Sequence, residues 1–379
     1  MPKHYDTIIL GLGGMGSAAA FHLASRGKTV LGLERFQPVH SNGSSHGDSR
    51  IIRLAYHEHP SYVPLAHRAY ELWRRLEHDT NTTLLRETGG LMIGLPDSSV
   101  VQGAMVSARK HNLAHEILDA AQIRRRYPVL NPRADEMAVY ESVAGYLNPE
   151  AAIHAHLQQA ASHGAELHFE EPVLNWSATS SHVEVQTGRD TYEAGRLIIA
   201  PGAWAPELLA SLDIPLEIHR HVMCWFQPVS HAGRFQPESF PIYIWDVDGH
   251  NCFYGFPATT TSAGVKAALH SGGQPCTVQN VDRQIHPSDI TEVRQYLQRF
   301  IPALNGDVFR SAACLYTMTT DQHFLVGLHP RHPNVAIAAG FSGHGFKFTG
   351  VLGEILADIS IDGQTSHCID FFSPSRFAR

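Results

Sequence analysis

The sequence predicts an α/β fold of two domains, one a Rossmann-like unit assembled from separate parts of the chain and the other built on an antiparallel sheet. Three observations predict it. Near the N-terminus "DTIIL" (6–10), "GLGGMG" (11–16) and the alanine-rich "SAAAFHLASRG" read as strand, glycine turn and helix, with "TVLGLE" (29–34) as the next strand. From Ile218 to about Gly273 the chain changes to alternating, aromatic-rich stretches such as "HVMCWFQPV", "PIYIWDVDG" and "NCFYGFPA", the pattern of antiparallel strands. Close to the C-terminus "VAIAAG", a glycine turn and "GVLGEILADI" return to the α/β pattern.

Between these landmarks each element has its own reason. Residues 41–56 carry arginines and lead into "PLAHRAYELWRRLEHDT", whose apolar spacing predicts a helix. "LLRETGGLMIG" turns strand-like, and "AQIRRRYPVLNP" predicts a helix that runs into a loop. "PEAAIHAHLQQAASH" (149–163) is a helix opened by proline, followed by a run of short strands that ends in "RLIIAPGAW". The helix "ITEVRQYLQRF" follows the aromatic sheet. No internal repeat or low-complexity linker marks a boundary, so the division follows the pattern changes. It gives residues 1–84, 148–214 and 313–379 to the Rossmann-like domain, and 85–147 and 215–312 to the second, substrate-binding domain.

The glycine turn specifies a chemistry. Gly11 permits the tight turn, Gly13 lets backbone approach a pyrophosphate, and Gly16 lets the helix pack closely on the sheet. The helix N-terminus offers unpaired N–H groups to the phosphates. Glu34 ends the next strand about 20 residues on, where an acid accepts from a ribose hydroxyl and disfavours a 2′-phosphate. This motif alone leaves NAD and FAD open. A nicotinamide enzyme usually keeps its dinucleotide fold contiguous, so the interleaving favours FAD. Gly202, closing "RLIIAPGAW", brings backbone close to a bound group.

Composition excludes several classes. With 43% hydrophobic and 17% charged residues the chain is that of a globular protein, and no run of apolar residues is long enough to span a bilayer. The N-terminus lacks the pattern of a cleaved leader, which leads us to expect a cytoplasmic protein. A net charge of −7 with scattered Lys and Arg offers no landing site for nucleic acid or a membrane, and a small molecule is the expected partner. The five cysteines include no C-x-x-C pair, so neither a disulfide framework nor a metal site is expected. The 26 histidines show no ligand spacing and are expected mostly on the surface or in loops.

The combination "GLGGMG…LE", "SHGDSRIIRLAY", "FYGFPA", "ACLYTMTTDQHF" and "AAGFSGHGFKF" resembles the monomeric sarcosine oxidase and N-methyltryptophan oxidase family of FAD-dependent amine oxidases, along the whole chain. The resemblance implies an oxidase of N-methyl or cyclic secondary amino acids. It forms an imine, reduces O2 to hydrogen peroxide and, where a methyl is oxidised, releases formaldehyde on hydrolysis. It also implies a monomer, and a flavin joined covalently to the cysteine matching Cys314.

By that resemblance Arg53 and Lys347 hold the substrate carboxylate, while Arg50 lies against the flavin ring with His46 and Ser49 close by. Lys266 matches the lysine assigned to oxygen activation, and Tyr254, His270 and Tyr316 line the substrate pocket. Gly343, His344, Gly345 and Lys347, in "GFSGHGFKF", fall on the flavin side. Arginine's fork suits a carboxylate, and Arg50 and Arg53 share a face if their segment is helical or turn-like. Taken alone, both would read as ion-pair partners of Asp48 or Glu58, Lys266 as an exposed strand lysine and Cys314 as a structural thiol. Lys347 between Phe346 and Phe348 either meets an anion or snorkels to water.

The sequence departs from the family pattern at Ser45 and Leu54, where histidines are expected, and at Ser49, which keeps the hydroxyl of the usual threonine. Ile244 and Trp245 also differ, so substrate size is the open question. Within the class, N-methyl-L-tryptophan and pipecolate-type oxidases are the alternatives; outside it, an FAD dehydrogenase passing electrons to a quinone or protein, or a flavin-binding sensor.

Overall fold

The computed structural model describes residues 4–259 and 264–377. Met1 to Lys3, Ser262 and Ala263 ahead of Lys266, and the last two residues of the expected Rossmann-like part lie outside the described residues.

Isoleucine, leucine and valine runs buried on both faces make a parallel sheet. The strand His4–Leu10 lies between Val30–Leu33 and Thr191–Ile199, parallel to both, and Val30–Leu33 pairs in turn with Glu166–His168. The outer edge of Thr191–Ile199 is shared. Its first half pairs antiparallel with Val183–Thr187, and Leu197 to Ile199 pair parallel with His332–Ala339. One sheet is thus drawn from the beginning, middle and end of the chain, as the pattern changes implied. Helix Gly14–Ala24 crosses over it between helices Pro149–Ser162 and Thr349–Asp362. A Cβ on Gly353 would stand 2.5 Å from the Ala18 Cβ, so small residues on both helices set their close approach.

The second sheet has nine strands and carries Leu216–Phe226, Ile242–Asp246, Cys252–Gly255, Val265–Leu269 and Val308–Thr319. All its pairs are antiparallel except Gly90–Gly94 with Ile242–Asp246, which run parallel, so the expected antiparallel sheet is in fact mixed. Alternation gives it two different faces. Trp245 and Phe253, directly opposed, point to the face covered by helix Pro287–Phe300. Ile244 and Tyr254, also opposed, point to the other face. The expected change of domain at 312/313 falls inside the strand Val308–Thr319, which pairs along its length with Leu216–Phe226.

A three-stranded sheet of Arg50–Ile52, Gly145–Leu147 and Leu85–Glu87 lies beside these. Arg50 therefore begins a strand rather than a helix or turn, and Arg53 follows the end of that strand, so helical spacing is not what relates the two. Six of the 26 histidines, including His46, His221 and His344, are buried, which leaves most of them outside the core as expected. Among the described residues no helix is long and apolar enough to cross a membrane.

Candidate functional site

A single cavity runs from the glycine turn to the inner face of the second sheet. At one end Gly11 has φ +87°, and a Cβ there would meet the Ala200 carbonyl oxygen at 2.5 Å. A Cβ on Gly13 would meet nothing within 4 Å, so the backbone at the start of helix Gly14–Ala24 is open to a ligand. No side chain caps that helix, which leaves its first N–H groups for an anion. Gly16 does not line the cavity. Its added Cβ would stand 1.8 Å from the Gly11 carbonyl oxygen, so it closes the turn from behind. Glu34, on the cavity wall, accepts from the backbone N–H of Leu12 at 2.8 Å and of Phe36 at 3.1 Å, and faces His40 Nε2 at 3.4 Å. Gly202, with φ +55°, is on the opposite wall.

The other end is the sheet. Cys314 and Tyr316, two apart on one strand, point into the cavity, as do Ile244, Tyr254 and His270. Tyr316 stacks on His221 with ring centroids 3.9 Å apart. Trp245, expected at this wall, points the other way and donates its indole N–H to Glu136 at 3.1 Å; period-two alternation lets only one of the pair Ile244 and Trp245 face the ligand.

Arg50 reaches the cavity while its guanidinium donates to the Ser44 carbonyl at 2.7 Å and the Ser49 carbonyl at 2.9 Å, with Cys314 Sγ at 3.6 Å. Among the described residues it has no carboxylate partner in its hydrogen bonds; Asp48 pairs instead with Arg310. Lys266, His46 and Ser49 lie behind Arg50 and are not on the cavity wall. Lys266 is 2% exposed, not a surface strand lysine, and its Nζ donates to the carbonyls of Gly47 at 2.7 Å and Ser49 at 2.6 Å. Burial and the nearby Arg50 push its pKa well below that of a free lysine. Burial beside Arg50 also pushes His46 down to about 3, so it is neutral, and its Nε2 and the Ser49 Oγ are buried without a partner among the described residues. Burial raises the Cys314 thiol, against the pull of Arg50 and Lys266.

Two buried cations face the cavity farther along. Arg53, 1% exposed, gives one nitrogen to both oxygens of Glu58, at 2.7 and 2.9 Å, and another to the Ala55 carbonyl at 3.2 Å. The ion pair foreseen as a bland alternative is there, but in the interior and on the cavity wall. Glu58 is held well below the usual carboxylate range by Arg53 against the effect of burial. Lys347, 5% exposed, donates to the His344 carbonyl at 2.7 Å and the Tyr56 hydroxyl at 3.3 Å, so its head group does not snorkel to water. Burial and Arg53 lower it to about 7. Burial also lowers His270, and Gly343, with φ +82°, lies against the Tyr316 ring, where a Cβ would be 2.3 Å from it. His344 and Gly345 complete this wall.

Sequence reasoning missed Tyr56, Glu141 and Glu150. Glu150, in the first turn of its helix, accepts from Gly47 N–H at 2.5 Å and Asp48 N–H at 3.2 Å, clamping the Arg50 loop. Glu141 accepts the Leu54 and Ala55 N–H groups at 3.0 and 3.2 Å and holds the chain beyond Arg53. A first-turn glutamate reads as a helix-dipole partner, and nothing in the local pattern announces a distant loop.

The residues fit FAD. The open helix N-terminus suits a pyrophosphate, Glu34 suits a ribose, and Arg50, on the cavity wall beside Cys314, suits a polar ring system. A model of the FAD-dependent oxidoreductases designated DAO matches residues 6–359. Monomeric sarcosine oxidase of Streptomyces avermitilis is 50% identical over 381 residues, covering 100% of this chain and 99% of that protein. N-methyl-L-tryptophan oxidase of Yersinia pestis is 34% identical over 376 residues, covering 98% and 99%. Among solved structures NikD, described as an unusual amino acid oxidase essential for nikkomycin biosynthesis, has a TM-score of 0.85 at 24% identity and covers 98% of each chain, a likeness of fold.

Proposed function

The chain belongs to the DAO family of FAD-dependent oxidoreductases, and from that premise we propose that it is an oxidase of N-methyl amino acids with sarcosine as the leading substrate. The observation that carries this reading is a cavity with a dinucleotide end and, at its far end, two buried cations, Arg53 and Lys347, of which the lysine has no carboxylate among its hydrogen-bond partners in the described residues. An amino acid carboxylate supplies the missing anion.

In this reading FAD, held by the Gly11–Gly16 turn and Glu34, supplies the two-electron acceptor. Arg53 and Lys347 bind the carboxylate and so orient the N-methyl group toward the ring. Tyr254, Tyr316 and Ile244 bound the space for the rest of the substrate and exclude water. Arg50 adds positive charge that disfavours the protonated amine, the form that cannot be oxidised. Lys266 also favours charge developing on oxygen. The balance is sarcosine, O2 and water giving glycine, formaldehyde and hydrogen peroxide. Cys314, on the cavity wall beside Arg50, is the residue we take to carry the flavin covalently, and the name of the Streptomyces relative supports a monomer. We also keep the domain division of the sequence reading, moved only so that the strand Val308–Thr319 is not split.

The test is the absorption spectrum of the purified protein before and after sarcosine is added without oxygen. Bleaching of the flavin, with peroxide and formaldehyde formed in equal amounts once air is admitted, is the expected result. A spectrum that sarcosine leaves unchanged but N-methyl-L-tryptophan or pipecolate bleaches would move the substrate within the class. No bleaching by any secondary amino acid would sink the reading.

A further inference from the structure

We propose that Tyr56 is the positioning residue that lets Lys347 and Arg53 share one carboxylate site, its ring standing against both cations and its hydroxyl oxygen accepting from the lysine; this rests on the reading of the cavity as an amino acid oxidase site.

Two like charges buried together repel, and something must offset that. Tyr56 is fully buried, with its ring centroid 4.3 Å from the Arg53 guanidinium carbon and 5.0 Å from Lys347 Nζ. A cation over an aromatic face is attracted by the ring quadrupole, more so when desolvated. The ring is fixed in turn. Tyr62 stacks on it at 4.6 Å, Phe348 meets it edge-on at 5.3 Å, and the Tyr56 carbonyl accepts from the Ser107 hydroxyl at 2.5 Å.

The direction of the hydroxyl follows from its neighbours. His344 Nε2 is 3.0 Å from the Gln322 carbonyl oxygen, which can only accept, so the ring proton is on Nε2. Burial beside Lys347 pushes His344 down to about 3, so the ring is neutral and Nδ1 is bare. That Nδ1 accepts the Tyr56 O–H at 2.6 Å. The Tyr56 oxygen is then free to accept from Lys347 at 3.3 Å, while the His344 carbonyl takes a second Lys347 proton at 2.7 Å. An ammonium has three N–H groups, and the third remains for a carboxylate. The other titratable groups around Lys347 are Arg53 and Glu58, both charged, and His270, held neutral by burial. Lys347, with its pKa near 7, is therefore the group whose charge changes close to neutrality.

Tyr56→Phe keeps the ring and removes the acceptor. Losing a hydrogen bond to a charged group corresponds to a shift of about one pK unit. The probe is methoxyacetate, a carboxylate of sarcosine's size without a titratable amine, and the readout is Kd by calorimetry on the flavin-loaded protein from pH 5.5 to 9. In the wild type Kd should be flat at low pH and rise above about pH 7. In Tyr56→Phe that break should fall by about one unit, so that binding at pH 8 is about tenfold weaker than in the wild type. Lys347→Arg, whose guanidinium does not titrate, should abolish the break both alone and combined with Tyr56→Phe. Tyr62→Phe, which removes a hydroxyl from the same aromatic cluster without touching Lys347, should leave it in place. A break that stays at the wild-type pH in a folded Tyr56→Phe protein, or that survives in Lys347→Arg, overturns the inference while leaving the oxidase reading intact. Unchanged methoxyacetate binding in Lys347→Met would remove the carboxylate site itself, and the inference with it.

Discussion

Arg53 is committed to Glu58, and replacing that glutamate tests whether a ligand competes for the same guanidinium. Both Glu58 oxygens lie within 2.9 Å of one Arg53 nitrogen, and the two side chains are 2% and 16% exposed. In Glu58→Gln the guanidinium keeps the Ala55 carbonyl at 3.2 Å and one amide oxygen, but loses its ion-pair partner and keeps only the weaker pull of Glu141. Breaking a buried pair costs about 3–5 kcal/mol, and the partial exposure of Glu58 puts this one near 3. An unfolding entropy of about 2.1 cal/mol/K per residue makes that a drop of roughly 4 °C in Tm for a chain of this size unfolding as a unit. Saturating methoxyacetate should restore most of the loss, because its carboxylate takes the vacated place, and its Kd should fall several-fold relative to the wild type. The sign with pH is fixed. Glu58 is depressed in the folded state, so the pair contributes fully above the unfolded carboxylate value of about 4.3 and is lost as pH falls through the folded one. The difference in Tm between wild type and variant should therefore be full at pH 7 and shrink below about pH 4. Calorimetric melts with and without the ligand measure all of this. Equal Tm values for the two proteins, or a variant that binds methoxyacetate no better, would show that Glu58 is not what occupies Arg53.

The remaining predictions address the flavin end. Gly16→Ala puts a Cβ 1.8 Å from the Gly11 carbonyl oxygen, so the turn cannot close; the purified variant should lose most of its flavin absorbance relative to protein absorbance. Lys266→Met strips the donor from the Gly47 and Ser49 carbonyls and should slow reoxidation of the reduced enzyme by O2 far more than its anaerobic reduction, as read by stopped flow. Cys314→Ala should shift the flavin from the acid-precipitated protein to the supernatant; if the wild type already releases all its flavin, no covalent bond exists there.

How much of this was legible in the sequence depended on the range of the interaction. The Gly11–Gly16 turn, its helix and Glu34 were legible because their constraints are local: one strand, one turn and one acid at a fixed distance. The discontinuous sheet was legible from pattern changes, since a strand buried on both faces is apolar wherever it occurs in the chain. Arg53 and Glu58 lie five residues apart, yet sequence alone made them a surface pair, because burial is a property of what packs above them. Tyr56, Glu141 and Glu150 were not legible at all. Their partners are 288, 87 and 103 residues away, and no spacing rule reaches across separate elements. Trp245 was misplaced by one residue of register, the least shift that sends a side chain to the other face.

The cations divide by what holds them, and the division explains how one cavity can both attract an amino acid and oxidise it. Arg50, Lys266 and Lys347 donate mainly to carbonyls and a hydroxyl, which direct them without an opposing carboxylate, and burial lowers the pKa of both lysines. Arg53 alone is matched by a carboxylate. On the proposed reading, an arriving carboxylate is exchanged against Glu58 at Arg53 with little net change, while Arg50 keeps its field on the amine. That field is useful only if its sources stay still, and the loop before Arg50 is clamped from three elements: by Glu150 on a helix of the first domain, by Lys266 on one strand of the second sheet, and by Arg310 on another. Gly47 at φ +96° and Asp48 at φ +65° place the clamped loop in the left-handed region, which glycine adopts freely and aspartate less often. Loosening any one clamp should therefore cost turnover more than it costs carboxylate binding, since the proposed carboxylate site, Arg53 and Lys347, lies beyond the clamped loop.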